Sequence, residues 1–186
     1  ETAYKHSKGE PTFLRALAYA DLSFFFGGVP MRLKPEGLEE ANKALSPKAE
    51  IVELVLKDLE DAAALLPVSY AASEKGRATK GAARGILAKV YLFQNDFVNA
   101  EKYALEVINS GQYSLEPNFE DANSEAGRHG VESIFEVGAL PEENLEGGGN
   151  QYGNTQGVRG SPNRGWGFNR PTLDLQDSFE DGDPRL

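Results

Sequence analysis

The chain contains no cysteine. Disulfides, thiolate metal sites and a cysteine nucleophile are therefore excluded, while the redox state of the compartment stays open. Histidine is nearly as scarce, with His6 and His129 the only two. Neither belongs to an HExxH pair, and no glycine-flanked serine arrangement stands beside them. His6 lies in a polar terminal segment and His129 in a charged loop, so both are expected to be plain surface residues. No run of 18 apolar residues occurs, so nothing reads as a membrane-spanning helix. Positive charge is also in deficit: 19 Lys and Arg against 29 Asp and Glu give a net charge of −10. That balance argues against nucleic acid, because binding polyphosphate requires basic surface to release counterions.

Known catalytic and metal patterns fail as well. "GGGNQYGNTQG" lacks the GK[ST] ending and the Lys of a phosphate loop, and no buried strand of a βαβ unit precedes it. Asp174, Asp177, Glu180, Asp181 and Asp183 lack the order of an EF-hand and are expected to form a solvated helix face. A glycosidase needs two carboxylates about 5–10 Å apart across a sugar, and no motif selects a pair here. The expectation is therefore no enzyme, no cofactor and no metal site.

What is present is a length of 186 residues, enough for one core, and an apolar content of 40% that suits a globular protein. The chain opens on Glu1-Thr2-Ala3 without Met or an apolar signal segment, which reads as processed, truncated or excised from something longer. Four helices are predicted. In "PTFLRALAYADLSFFFGG", Pro11 suits the first helical position and Gly27-Gly28 the stop. Leu14, Leu17, Ala18, Leu22 and Phe25 share one face. The second helix takes Ser46 as N-cap, Pro47 and Glu50 in its first turn, and Pro67 as its end. Ile51, Val55, Leu59, Ala62 and Leu66 form its buried stripe, while Lys57, Asp58, Glu60 and Asp61 fall largely on the solvent side.

Helices three and four form a pair. Thr79 caps "TKGAARGILAKVYLFQ", "ND" makes the turn, Asp96 caps "FVNAEKYALEVINSG", and Gly111 supplies a left-handed C-cap. Ala88 and Ala100 allow close approach, with Tyr91 filling the groove beside them. This is the helical-hairpin pattern of a tetratricopeptide unit, matched at Leu87, Ala88, Tyr91 and Ala100, with Ala104 in place of the usual larger aromatic. The helices at 12–26 and 47–66 are read as a second, widely opened unit. Beyond Gly111 the chain turns irregular; "ESIFEV" (132–137) reads as a short strand, and "TLDLQDSFED" as a last helix capped by Thr172 and stopped by Gly182.

Against this acidic background, residues 147–172 hold eight glycines, three arginines and no acid. The one tryptophan, Trp166, sits there between glycines, with Tyr152 and Phe168 as further rings. Asn150, Gln151, Asn154, Gln156, Asn163 and Asn169 supply amides that donate and accept, and Arg159, Arg164 and Arg170 supply planar forks. Rings with amides and guanidinium groups match a sugar, whose C–H faces stack and whose hydroxyls donate and accept together. Two alternatives stay open. Trp166 could pack inward as a plug, which is how large aromatics more often sit, and the arginines could simply tie the loop to the acidic body.

Taken in order, "FLRALAYADLSFFFGGVPMRL", "GRATKGAARGILAKVYLFQNDFVNAEKYALEVINSGQYSLEPNFED", "ESIFEV" and "RPTLDLQDSFEDGDPRL" resemble the SusD/RagB family of outer-membrane nutrient-binding lipoproteins. The resemblance runs from Pro11 to Leu186. It implies a mainly α fold: tetratricopeptide-like hairpins in 1–111 as scaffold and a loop-rich binding region in 112–186 with little β structure, both within one structural domain. It implies non-catalytic glycan binding at the cell surface and delivery to a TonB-dependent transporter of the SusC type. The lipid anchor would lie outside this chain, which would be a piece of a longer protein with some apolar helix faces left uncovered. A pure protein-interaction scaffold is the alternative. The glycan contacts expected from position and chemistry are Trp166, Tyr152, Phe168, Arg159, Asn163 and Asn169.

Overall fold

In the computed structural model the described residues are 2–122, 124, 127–138, 155–157, 159, 165–168 and 170–183, with side chains from His6 onward. The helices bounded among the described residues are α1 (Thr2–Phe26), α2 (Lys48–Leu65), α3 (Lys80–Phe93), α4 (Phe97–Ile108), α5 (Phe119–Ala122) and α6 (Leu173–Asp177). Single 3₁₀ turns occur at Leu38–Glu40 and Ala72–Glu74. Among the described residues there is no strand, only two isolated bridges, Val29 with Ser46 and Arg159 with Gly165. The fold is mainly α, and the chain divides into two compact units, Glu1–Val137 and Gly138–Leu186.

In the first unit α1 packs on α2, α2 on α3, and α3 on α4. The stripe Ile51, Val55, Leu59, Ala62 and Leu66 is buried as its spacing requires and meets Phe13, Ala16, Ala82, Ala83 and Leu87 in one core. Burying each large apolar side chain contributes about 1.5–3 kcal/mol. The caps are also in place. Thr79 Oγ1 accepts from Ala82 N and Asp96 Oδ1 from Asn99 N, both at 3.1 Å, and Thr172 Oγ1 from Leu175 N. Asn95 at φ +60° makes the α3–α4 turn, and Gly111 takes φ +65°. Tyr91 stacks on Tyr103 of α4 with centroids 5.6 Å apart, filling the inter-helix groove.

Several sequence expectations are corrected. Helix α1 does not start at Pro11 but nine residues earlier, with Pro11 inside it. An interior proline costs an intrahelical hydrogen bond and about 3 kcal/mol. The turn before it is held by packing: Gly9 is buried so close to α2 that a Cβ would lie 3.0 Å from Leu66 Cδ2. Glu10 is gripped by Arg77 and Tyr70. The buried face of α1 is Phe13, Ala16, Tyr19 and Ser23, whereas Leu14, Leu22 and Phe25 are exposed. Residues 13–26 are apolar nearly all round, so periodicity cannot choose a face. The small Ala16 and Ser23 admit the neighbouring helix.

Ser46 does not cap α2; its N–H donates to Val29 O at 3.0 Å, and Pro47 holds the cap position. Asp58 lies buried, not on the solvent side, because Arg15 reaches it from α1. "ESIFEV" forms no strand, since no strand among the described residues offers it a ladder. Instead Ile134 and Phe135 both pack on the helical core, Phe135 edge-on to Phe13 with centroids 5.0 Å apart. His129 is no free surface residue either, as its Nδ1 lies 2.9 Å from Glu136 Oε1.

Candidate functional site

The acid-free segment belongs to the second unit. Here residues 155–157 and 159 lie beside 165–168 in a narrow backbone-paired ribbon, with Thr155 and Gln156 in helical conformation. Arg159 bridges Gly165, Gly167 N donates to Gly157 O at 2.9 Å, and Phe168 N donates to Thr155 O at 2.8 Å. The glycines make this approach possible. A Cβ at Gly165 would lie 2.2 Å from Gly157 C and O, an overlap no side chain tolerates. Gly167 takes φ +67°, the left-handed conformation natural to glycine.

This backbone sets the rings. Trp166 and Phe168 straddle Gly167 and meet edge-to-face, centroids 6.0 Å apart and planes at 71°. Trp166 is 47% exposed and Phe168 53%, so neither ring is sealed inside the protein. Arg159 Nε donates to Trp166 O at 2.9 Å and so pins the backbone that carries the indole. Arg159 thereby acts as a local brace. The structure thus brings together three of the six predicted contact residues, Trp166, Phe168 and Arg159. Tyr152, Asn163 and Asn169 lie outside the described residues, as do Asn150, Gln151, Asn154 and Arg164.

The glycines themselves were missed as site-shaping residues. Their signal was available in the sequence as Gly157, Gly165 and Gly167 around one tryptophan, but which glycine faces which backbone depends on the ribbon's register. No carboxylate occurs among the described ribbon residues, and no cluster of three or more His, Asp or Glu could hold a metal among the described residues of the chain. Asp174, Asp177, Glu180 and Asp181 are exposed on and after α6.

The first unit offers surface of a different character. An apolar cavity of about 230 Å³ lies between α1, α2 and α3, lined by Leu17, Phe24, Val52, Ile86, Val90 and Phe93, with Asp21, Lys48 and Lys89 also along it. Phe24 lies against Phe93 at 4.7 Å between centroids, and Phe25 and Phe26 are more than two-thirds exposed. A second cleft of about 160 Å³ sits between the start of α3 and the end of α4, near the Arg84–Glu106 ion pair of 2.8 Å.

Electrostatics in this unit centre on Glu10. Arg77 donates to it through Nε at 2.7 Å and Nη2 at 2.9 Å, which holds its carboxyl below the usual carboxylate range. Tyr70, partly buried and donating to the same carboxylate, is pushed up to about 12. Tyr103 is likewise pushed up to about 12 by burial and by its bond to Glu60. These are structural fasteners within the helical unit.

Comparison with known proteins places this arrangement in a family context. Residues 1–92 match the SusD-like family described as starch-binding and associating with the outer membrane. SusD-like protein P38 of Formosa agariphila is 34% identical over 113 residues, 59% of this chain and 22% of the relative. A SusD-like carbohydrate-binding protein of Bacteroides fragilis superposes with a TM-score of 0.79 at 28% identity, covering 95% of this chain and 36% of that one. A laminarin-binding SusD-like protein gives a TM-score of 0.68 at 28% identity, over 73% of this chain and 31% of the other. The chain spans less than a third of the length of the curated relatives it matches.

Proposed function

This chain belongs to the SusD-like family, and on that premise we propose that it binds oligosaccharide or polysaccharide at the bacterial outer-membrane surface without cleaving it. The bound glycan is then handed to a TonB-dependent transporter of the SusC type, with membrane attachment through a lipid anchor outside this chain. The carrying observation is the pair of half-exposed rings, Trp166 and Phe168, held edge-to-face on a braced ribbon. A pyranose laid on the indole buries its C–H face. Its hydroxyls are left to the neutral amides of the same segment, with Tyr152, Asn163 and Asn169 as candidate further contacts.

Two features support binding without hydrolysis. Glycoside cleavage uses a carboxylic acid and a carboxylate about 5–10 Å apart, and residues 147–172 hold neither. The relatives support a glycan as the ligand class, since one is laminarin-binding and another is carbohydrate-binding. Calorimetric titration of the protein with laminarin, xyloglucan and starch oligosaccharides tests the reading. At least one should bind, Trp166→Ala should weaken it at least tenfold, and no shortened product should accumulate. Absence of binding across the panel, or undiminished affinity in Trp166→Ala, would remove the ribbon from the function.

A protein-interaction scaffold without glycan binding is the second reading, favoured by the exposed Phe24, Phe25 and Phe26 beside the apolar cavity. Pull-down with a variant lacking 147–172 separates the two, because scaffold binding would survive the deletion.

A further inference from the structure

We propose that the helical unit carries its own ring-sized ligand site, for a single neutral polyol such as one pyranose unit. It occupies the cavity between the 68–79 loop, Gln112 and Tyr113, and residues 129–136. It is built from residues of the helical unit alone.

A volume of about 140 Å³, close to the roughly 150 Å³ that admits the bare ring of benzene, limits the occupant to one ring whose outer hydroxyls remain at the cavity mouth. The floor is apolar, made by Val68, Ile134 and Phe135. The polar groups around it divide into two sets. Those already engaged are the Arg77 guanidinium, held by Glu10 and Glu74, and the Glu136 carboxylate. Glu136 accepts from Ser133 Oγ at 2.9 Å and from His129 N at 3.0 Å, and faces His129 Nδ1.

The second set is available. His129 Nδ1 faces Glu136, so Nε2 is the ring nitrogen left to the cavity. Lys75 Nζ makes only a long 3.5 Å contact with His129 O. The Ser69 hydroxyl and the Gln112 amide make no side-chain hydrogen bond to any described residue. Tyr113 Oη and Thr79 Oγ1 share one hydrogen bond of 2.9 Å, leaving a hydroxyl proton to offer. An imidazole nitrogen, two donors and two groups that both donate and accept match a ring of hydroxyls.

Charge disfavours an anion. Lys75 and Arg77 are outnumbered by Glu10, Glu74 and Glu136, so the surroundings carry a slight negative excess. The site is also preformed. His129 is held at φ +52°, and its ring lies over Gly76, where a Cβ would sit 2.9 Å from His129 Cε1. Little ordering remains to oppose binding.

The test is a titration of the protein with D-glucose, D-galactose and D-mannose, following the His129 imidazole nitrogens by NMR. A saturable shift in the millimolar range is expected with at least one sugar. Gln112→Ala, at an exposed position, should weaken it about fivefold, as a lost hydrogen bond implies, and Trp166→Ala should leave it unchanged. Three results would overturn the proposal: no saturable shift with any sugar, an equal response in Gln112→Ala, or displacement of the sugar by inorganic phosphate. Loss of the shift in Trp166→Ala would equally refute a separate site. Failure of polysaccharide binding at the ribbon would leave this result intact.

Discussion

Arg15 of α1 and Asp58 of α2 meet as a two-pronged pair, with Nε 2.7 Å from Oδ2 and Nη2 2.8 Å from Oδ1. Asp58 is only 3% exposed, and the guanidinium is its counter-charge across the α1–α2 interface. The pair fixes the rotation of α1 about its own axis, which its nearly all-round apolar sequence leaves undetermined.

Removing that carboxylate strands a partly buried guanidinium. Asp58→Ala should therefore destabilise the first unit by about 2–3 kcal/mol, less than for a fully buried pair because Arg15 is part-exposed. A urea denaturation curve reads this as a lower midpoint at unchanged slope. A loss below about 0.5 kcal/mol, typical of a surface pair, would contradict the role given to it.

Gly81 is a notch for Tyr113. A Cβ there would lie 2.3 Å from the tyrosine oxygen and 2.6 Å from a ring carbon, and the ring is tethered through Thr79. Gly81→Ala should thus cost about 1–3 kcal/mol by overpacking. In a Tyr113→Ala background the same change should stabilise, because alanine is favoured over glycine in a helix by about 1 kcal/mol. Thermal unfolding of the four proteins of this cycle decides it.

At Gly167 both φ +67° and the approach of Arg159 Cβ, 2.8 Å from an added Cβ, oppose a side chain. Gly167→Ala should lower glycan affinity about tenfold, since left-handed backbone costs an ordinary residue about 1–2 kcal/mol. Calorimetry reads this directly. Affinity equal to that of the parent protein would show that the ring geometry is not what the ligand uses.

The Glu10 carboxyl is held below its ordinary 4.5 by Arg77 and Tyr70. A carboxylate depressed in the folded state adds stability fully present above 4.5 and lost as pH falls through the folded value. The stability advantage of the parent over Glu10→Gln should therefore be flat above about pH 6 and shrink below 4.5. Melting temperatures from pH 7 to 3 measure it; an advantage that grows towards acid would reverse the sign of the argument.

Where the sequence was sufficient, the interactions were short-range. Thr79, Asp96 and Thr172 each cap a backbone N–H three residues on. Gly111 needed only its own freedom at φ, and the α2 stripe only a 3.6-residue period. The ring, amide and guanidinium chemistry of 147–172 was equally plain from composition, as was the lack of any acid there.

The remainder required the folded chain. Glu10 holds the helix past Pro11 through an arginine 67 residues away, and Asp58 is buried by one 43 residues away. "ESIFEV" has strand composition but no strand beside it among the described residues, and it lies on the helices. Whether Trp166 is a plug or exposed was undecidable from flanking glycines, because exposure depends on the register in which Gly157 and Arg159 meet 165–168. Local propensity and period determined that α2, α3 and α4 are helices and where they stop, whereas α6 ends at Asp177, short of the stop expected at Gly182, and α5 carried no signal. Which face is buried, which charge is paired and which ring meets solvent were decided by contacts between distant residues, for which one sequence carries no local signal.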